Sequence, residues 1–125
     1  MTSTKTMRIT ARRWFEASAA ALVQAAPASF ATGIGTALFE IGGGGGDDGG
    51  TFLVDFTARS VRRLEAGDPP AQPRVIVRAE ARDFMALIEG RMSADDGILT
   101  KRLHVAGDVA AIAQLLGALV GKARP

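Results

Sequence analysis

The chain has no cysteine, a single histidine and no long apolar run. The lack of cysteine excludes disulfides and thiolate metal sites, which favours a cytoplasmic protein. No segment reaches the roughly 18 apolar residues that a membrane-spanning helix needs, so no transmembrane helix is predicted. The net charge is only +2. Because a nucleic-acid-binding protein usually carries a dense basic patch, we expect no nucleic-acid partner.

Residues for catalysis or metal binding are equally scarce. His104 lies out of phase with Leu103 and Val105, which predicts a structural or solvated side chain. Asp47-Asp48 and Asp95-Asp96 lack the ligand spacing of a calcium loop and suit turns or helix caps. No nucleophile with a neighbouring base is recognisable, and neither GxSxG nor HExxH occurs. We therefore predict no catalytic residue, no metal and no cofactor.

The length of 125 residues predicts one domain, which can bury about two-thirds of the surface of the unfolded chain. We divide the chain into a flexible leader at 1–8, a folded domain at 9–121 and a tail at 122–125. The arginine pairs lack interleaved aromatic residues. They are predicted to aid solubility, with anionic phospholipid as an alternative partner.

The first predicted element is an amphipathic helix from Thr10 to Ala26, with Thr10 as its N-cap and Pro27 barring its continuation. Arg12-Arg13 before an alanine-rich stretch also matches a twin-arginine export signal. Glu16 and the helical spacing of the apolar residues favour the helix. Trp14 is interpreted as a core anchor, with a lipid contact as the alternative.

Alternating apolar residues predict strands at Thr36–Ile41, Thr51–Thr57, Val61–Glu65, Val75–Ala79 and Arg102–Val105. The arginine-rich third strand suits a sheet edge. The segment with Phe30 and Gly33 is predicted to be a loop. The glycine run from Gly42 to Gly50 lacks the Gly-Lys-Ser/Thr of a phosphate loop, so we interpret it as a flexible connection between antiparallel strands.

Helix signals dominate the C-terminal part of the chain. A helix is predicted from Ala81 to Glu89, and Ser93 caps a further turn. Asp108 caps a final helix that Gly121 ends. The predicted fold class is α+β: a single, mainly antiparallel sheet of about five strands with helices packed on one face.

The C-terminal part of the chain carries a series of short motifs in a fixed order. They are Val75-Ile76-Val77, Asp83-Phe84 with Leu87 and Gly90, Asp95-Asp96, Leu103 with Val105, Gly107-Asp108, and Ile112, Leu115, Leu116 and Leu119. This order resembles the sterol carrier protein 2 (SCP-2) domain family, including its stand-alone bacterial members. The resemblance extends back to about Arg12, and Lys101 stands where the family usually has glycine, so the backbone there is expected to differ.

This resemblance implies an apolar tunnel between sheet and helices that admits an acyl chain, a sterol or an isoprenoid. We predict a non-catalytic lipid binder, which could transfer its ligand during transient membrane contact. The alternative is an accessory interaction module that presents a lipid, such as a quinone precursor, to a partner enzyme or forms a homodimer. From the residue pattern alone, the same side chains also suit an ordinary core. The predicted ligand-binding residues are Phe39, Phe52, Val54, Phe56, Phe84, Met85, Ile88, Met92, Ile112, Leu115, Leu116 and Leu119.

Overall fold

The computed structural model describes residues 10–43, 49–65, 68 and 72–120. Within these residues, five strands form one sheet in the order β3-β2-β1-β4-β5. Strands β1 and β4 are parallel, and the other three pairs are antiparallel. The predicted α+β class and mainly antiparallel sheet are confirmed. The strands are β1 (Thr36–Gly42), β2 (Gly50–Asp55), β3 (Ser60–Leu64), β4 (Val75–Glu80) and β5 (Leu103–Gly107).

The first helical segment comprises α1 (Ala11–Arg13), a π turn (Trp14–Ser18) and α2 (Ala19–Ala25). The N–H of Arg13 donates to Thr10 Oγ1 at 3.1 Å, which confirms the N-cap, and the backbone becomes extended at Ala26, before Pro27. In the π turn, the N–H of Ala19 donates to the carbonyl of Trp14, five residues earlier. This wider turn lets Trp14, Phe15 and Ala19 all be buried on the inner side.

A short helix, α3 (Ser29–Gly33), occupies the segment that was predicted to be a loop. That prediction was wrong because five residues are too short to show helical periodicity. Hydrogen bonds at its C-terminal end stabilise this helix, because the N–H groups of Ile34 and Gly35 both donate to the carbonyl of Phe30. Arg74 also donates to the carbonyl of Thr32 at 2.6 Å.

The remaining helices are α4 (Ala81–Ile88), α5 (Ala94–Leu99) and α6 (Val109–Leu119). Two predicted caps are confirmed: Asp96 N–H donates to Ser93 Oγ at 3.0 Å, and Ala111 N–H donates to Asp108 Oδ1 at 2.9 Å. Gly107 precedes the second cap with φ +123°, where a Cβ would collide with the carbonyl of Arg74. This close approach positions Asp108, whose N–H donates to the same carbonyl at 3.1 Å.

The two faces of the sheet differ in burial. Along β1, Ala37, Phe39 and Ile41 are buried, while the intervening residues are only partly covered. The helices cover the face that carries these three side chains, and the core lies between the two layers.

The edge position of β3 matches the prediction. In the described ranges, no helix is long and apolar enough to span a bilayer. The predicted leader and tail, and Gly121, lie outside the described residues.

Replacing Asp108 with alanine is expected to lower the free energy of unfolding by about 1 kcal/mol, because the N–H of Ala111 loses its acceptor. Urea unfolding measures the change, with an unaltered dependence on denaturant. Asp108→Asn is the matched control and should retain most of the stability, since asparagine caps as well as aspartate. Equal losses in both variants would contradict the capping role.

Candidate functional site

Five aromatic rings meet at the centre of the interior and form what we call the aromatic cluster: Trp14, Phe15, Phe39, Phe52 and Phe84. All five are at most 1% exposed. Phe15 is the hub, with its ring stacked near-parallel to Phe52 at 4.3 Å and to Phe84 at 5.1 Å between centroids. Trp14 meets Phe15 edge-on at 5.1 Å. Three predicted ligand-binding residues, Phe39, Phe52 and Phe84, are therefore core contacts in this state.

Trp14 and Phe15 belong to the aromatic cluster but are absent from the predicted ligand-binding set. Their helical spacing had marked Trp14 as a core anchor. No sequence signal placed Phe15 against Phe52, because that contact joins the N-terminal helix to a strand more than 30 residues away.

The aliphatic and thioether members of the predicted set form a second group, which we call the aliphatic wall. All are buried except Ile112, which is partly buried against the core. Helix α6 packs most closely on β5 and α3, while α4 packs on α1, β4, α5 and β1. The aliphatic wall consists of Met85, Ile88, Met92, Ile112, Leu115, Leu116 and Leu119.

The two remaining predicted residues lie toward the start of β1. Val54 is paired in register with Ala37, and Phe56 follows the end of β2. The ring of Phe56 meets Phe30 of α3 edge-on at 5.4 Å, and its N–H donates to the carbonyl of Gly35 at 2.8 Å. Both side chains are buried. The predicted set is thus distributed along the length of the interior.

A cavity of about 520 Å³ lies at the carboxyl ends of β1 and β4, and we call it the polar cleft. At this edge the chain leaves β1 toward β2 and leaves β4 through α4 toward β5. Sequence reasoning did not predict this site. Its lining residues are Glu40, Ile41, Gly42, Gly50, Thr51, Arg78, Ala79, Glu80, Asp83, Lys101, Arg102 and His104.

Two ion pairs organise the polar cleft. Arg78 Nε donates to Glu40 Oε1 at 2.7 Å across the parallel pair of β1 and β4. Arg102 Nε donates to Asp83 Oδ1 at 2.9 Å and so links the turn before β5 to the first turn of α4. Asp83 is the one buried charged residue in the described part of the chain, at 8% exposure.

Lys101 has φ +63°, in the left-handed region that glycine adopts without a steric penalty. This is the position at which the family resemblance leads one to expect glycine. The lysine thus occupies a backbone conformation that disfavours any side chain, at a cost of about 1–2 kcal/mol.

His104 is exposed and pairs in register with Arg78 on the face of the sheet away from the helices, as its phase predicted. Among the described residues, no three acidic or histidine side chains are grouped to hold a metal ion. Asp96 lies in the first turn of α5, while Asp47 and Asp48 are outside the described residues.

The sheet order, the helical cover and the buried apolar lining define a small α+β domain whose interior lies between one sheet face and its helices. The chain belongs to the SCP-2 sterol transfer family, whose model matches residues 15–120. No curated protein sequence matches the chain significantly.

Solved structures share the fold at low sequence identity. Sterol carrier protein 2 like 2 from Aedes aegypti is 18% identical, with a TM-score of 0.66 over 82% of this chain and 91% of that one. Sterol carrier protein 2 from Aedes aegypti, solved in complex with the C16 fatty acid palmitate, is 15% identical, with a TM-score of 0.66 over 90% and 99%. UbiJ-SCP2, described as a ubiquinone synthesis protein, is 17% identical, with a TM-score of 0.55 over 80% and 84%.

Arg102→Ala is expected to cost more stability than Asp83→Ala. Removing the arginine leaves a buried carboxylate without its partner, whereas removing Asp83 leaves a guanidinium whose side chain is 48% exposed and stays hydrated. We expect losses of about 2 kcal/mol and about 1 kcal/mol, respectively, by urea unfolding.

Arg91→Ala is the matched control, since it breaks the exposed pair with Glu89 and should change stability by about 0–1 kcal/mol. A larger loss in Asp83→Ala than in Arg102→Ala would show that the carboxylate does not depend on this partner.

Proposed function

We propose that this protein is a non-catalytic binder of a long apolar ligand, such as a fatty acyl chain, a sterol-like molecule or an isoprenoid, and that it acts in the cytoplasm. The observation that carries the proposal is membership of the SCP-2 sterol transfer family by a chain whose interior is lined by large apolar side chains. The palmitate complex of the Aedes aegypti protein supports the choice of ligand class. The predicted residues of the aromatic cluster and the aliphatic wall, with Val54 and Phe56, are the proposed lining.

Burial of the ligand supplies the free energy. Each buried methylene contributes about 0.8 kcal/mol, so a dozen methylenes contribute roughly 10 kcal/mol before the entropy of association is subtracted. Release into water would forfeit the same amount. Transfer is therefore easier during transient contact with a membrane or a partner protein than through free solution.

The ligand must share the interior with side chains that already touch one another. The aromatic cluster is the harder part to displace, because each aromatic contact adds about 0.5–1.5 kcal/mol to its burial. The aliphatic wall is the easier part. Met85 and Met92 adapt their shape. We place the ligand between α4, α6 and the sheet, beside Phe84 and Leu116.

The first experiment asks whether lipid binds. Native mass spectrometry of the purified chain should show a co-purified lipid, and unlabelled palmitate should displace a fluorescent fatty acid. Leu116→Trp should raise the dissociation constant of palmitate in this assay by about tenfold or more. The larger side chain fills the space that the ligand needs, and overpacking an interior costs about 1–3 kcal/mol.

Val109→Trp is the matched control. It adds the same ring to the same helix, at a residue that is 81% exposed, and should bind like the natural chain. Circular dichroism verifies that both variants are folded. A natural chain with no co-purified lipid and no displacement would refute the proposal.

A second candidate function, as an interaction module, is favoured by the outer side of α6. That side carries Val109, Ala113, Gly117 and Val120, which are exposed and uncharged. Such a face suits a homodimer or a partner enzyme, and the description of UbiJ-SCP2 as a ubiquinone synthesis protein fits an accessory role.

Light scattering separates the two functions. If α6 forms a homodimer, the natural chain should have twice the monomer mass, and Val109→Asp should convert it to a folded monomer. Leu115→Asp should instead unfold the chain, because Leu115 is fully buried. A natural chain that is monomeric at every concentration would exclude the homodimer.

A further inference from the structure

The polar cleft lies outside the proposed apolar site and has a different chemistry. Three cationic residues (Arg78, Lys101, Arg102) and three acidic residues (Glu40, Glu80, Asp83) line it. Arg78 is paired with Glu40, and Arg102 is paired with Asp83. Lys101 and Glu80 have no partner among the described residues. The volume of about 520 Å³ is within the range of small-molecule sites.

The unused hydrogen-bonding groups in the cleft are mostly donors. Arg102 uses only Nε to hold Asp83, so both of its terminal amino groups remain available. Arg78 uses Nε and Nη2 on Glu40, which leaves Nη1. Lys101 and His104 make no side-chain hydrogen bond to another described residue. The guanidinium and ammonium donors match the oxygens of a carboxylate or phosphate.

The unpaired charges lie on different sides of the cleft. The Glu80 carboxylate covers Gly42 of β1, where an added Cβ would meet it. Lys101 and Arg102 come from the turn before β5, two strands away in the order β1-β4-β5. Two strand spacings amount to about 9–10 Å between the backbones of β1 and β5.

Position and strain support the same assignment. Ligands of open sheets bind beyond the carboxyl ends of parallel strands, where connections leave in opposite directions, as they do for β1 and β4. Lys101 is held at φ +63°, and strained residues cluster at sites where they contact ligands. The strain at Lys101 is therefore consistent with a ligand contact at this residue.

We propose that the polar cleft binds an oxyanion group, a carboxylate or a phosphate, with Lys101 and Arg102 as its principal donors. The oxyanion can come from a free small molecule or from the head of a lipid. The lipid-head source rests on the function proposed above, whereas the free anion does not.

The test is a titration of the ¹⁵N-labelled full chain followed by amide chemical shifts. Three probes are used: inorganic phosphate, octyl phosphate and octanol. Phosphate or octyl phosphate should shift the amides of residues 78–80 and 101–104 with saturation. Lys101→Ala should weaken that binding by about tenfold or more, since it removes a charge-assisted hydrogen bond.

Two further variants separate the charge from the backbone strain. Lys101→Gly should weaken binding like Lys101→Ala while giving a higher unfolding midpoint than Lys101→Ala, because glycine relieves the strain. Lys101→Arg should retain binding. Arg62→Gln, which removes one cation from β3 at the opposite edge of the sheet, should bind like the natural chain.

The probes distinguish the sources of the oxyanion. Saturable shifts with phosphate alone identify a free anion, while shifts that need octyl phosphate identify a lipid head. Octanol reports the apolar interior without an oxyanion, so its binding tests the proposed carrier function separately. The oxyanion site would be overturned if octyl phosphate bound no more tightly than octanol and inorganic phosphate caused no shifts. Affinities that are unchanged in Lys101→Ala would also overturn it.

Discussion

The structure depends on one packing arrangement, the contact of Phe15 with the other rings of the aromatic cluster. Phe15 belongs to the N-terminal helical segment, Phe39 and Phe52 to neighbouring strands, and Phe84 to α4. A single side chain thus joins the N-terminal helical segment and α4 to the sheet. The π turn is part of this arrangement, because it turns both Trp14 and Phe15 toward the core.

The same packing constrains how a ligand can be held. An interior whose rings already stack on each other offers room only where its side chains change conformation. Met85 and Met92 do so more readily than the rings. The polar cleft differs chemically from this interior, because its lining includes two ion pairs and a strained lysine. The protein thus combines an adaptable apolar interior with a polar edge that ion pairs organise.

Most of the fold could be predicted from the sequence. Alternation located all five strands, and the caps at Thr10, Ser93 and Asp108 located the starts of three helices, because these signals act between residues close in the chain. Helix α3 was missed because it is too short to show a period. The polar cleft was missed because the residues that form it, from Glu40 to His104, are distant in sequence and meet only through the pairing of β1, β4 and β5.

The sequence by itself determined the α+β class, the inward faces of the strands and the family, since each follows from local periodicity or from motifs in a fixed order. Only the tertiary structure decided what those inward faces touch. It placed Phe15 against rings from three other elements, buried Asp83 beside Arg102 and held Lys101 in a left-handed conformation. The physical reason is that side-chain contact depends on the register of paired strands and the placement of helices over them, and neither is encoded in the spacing of any one segment.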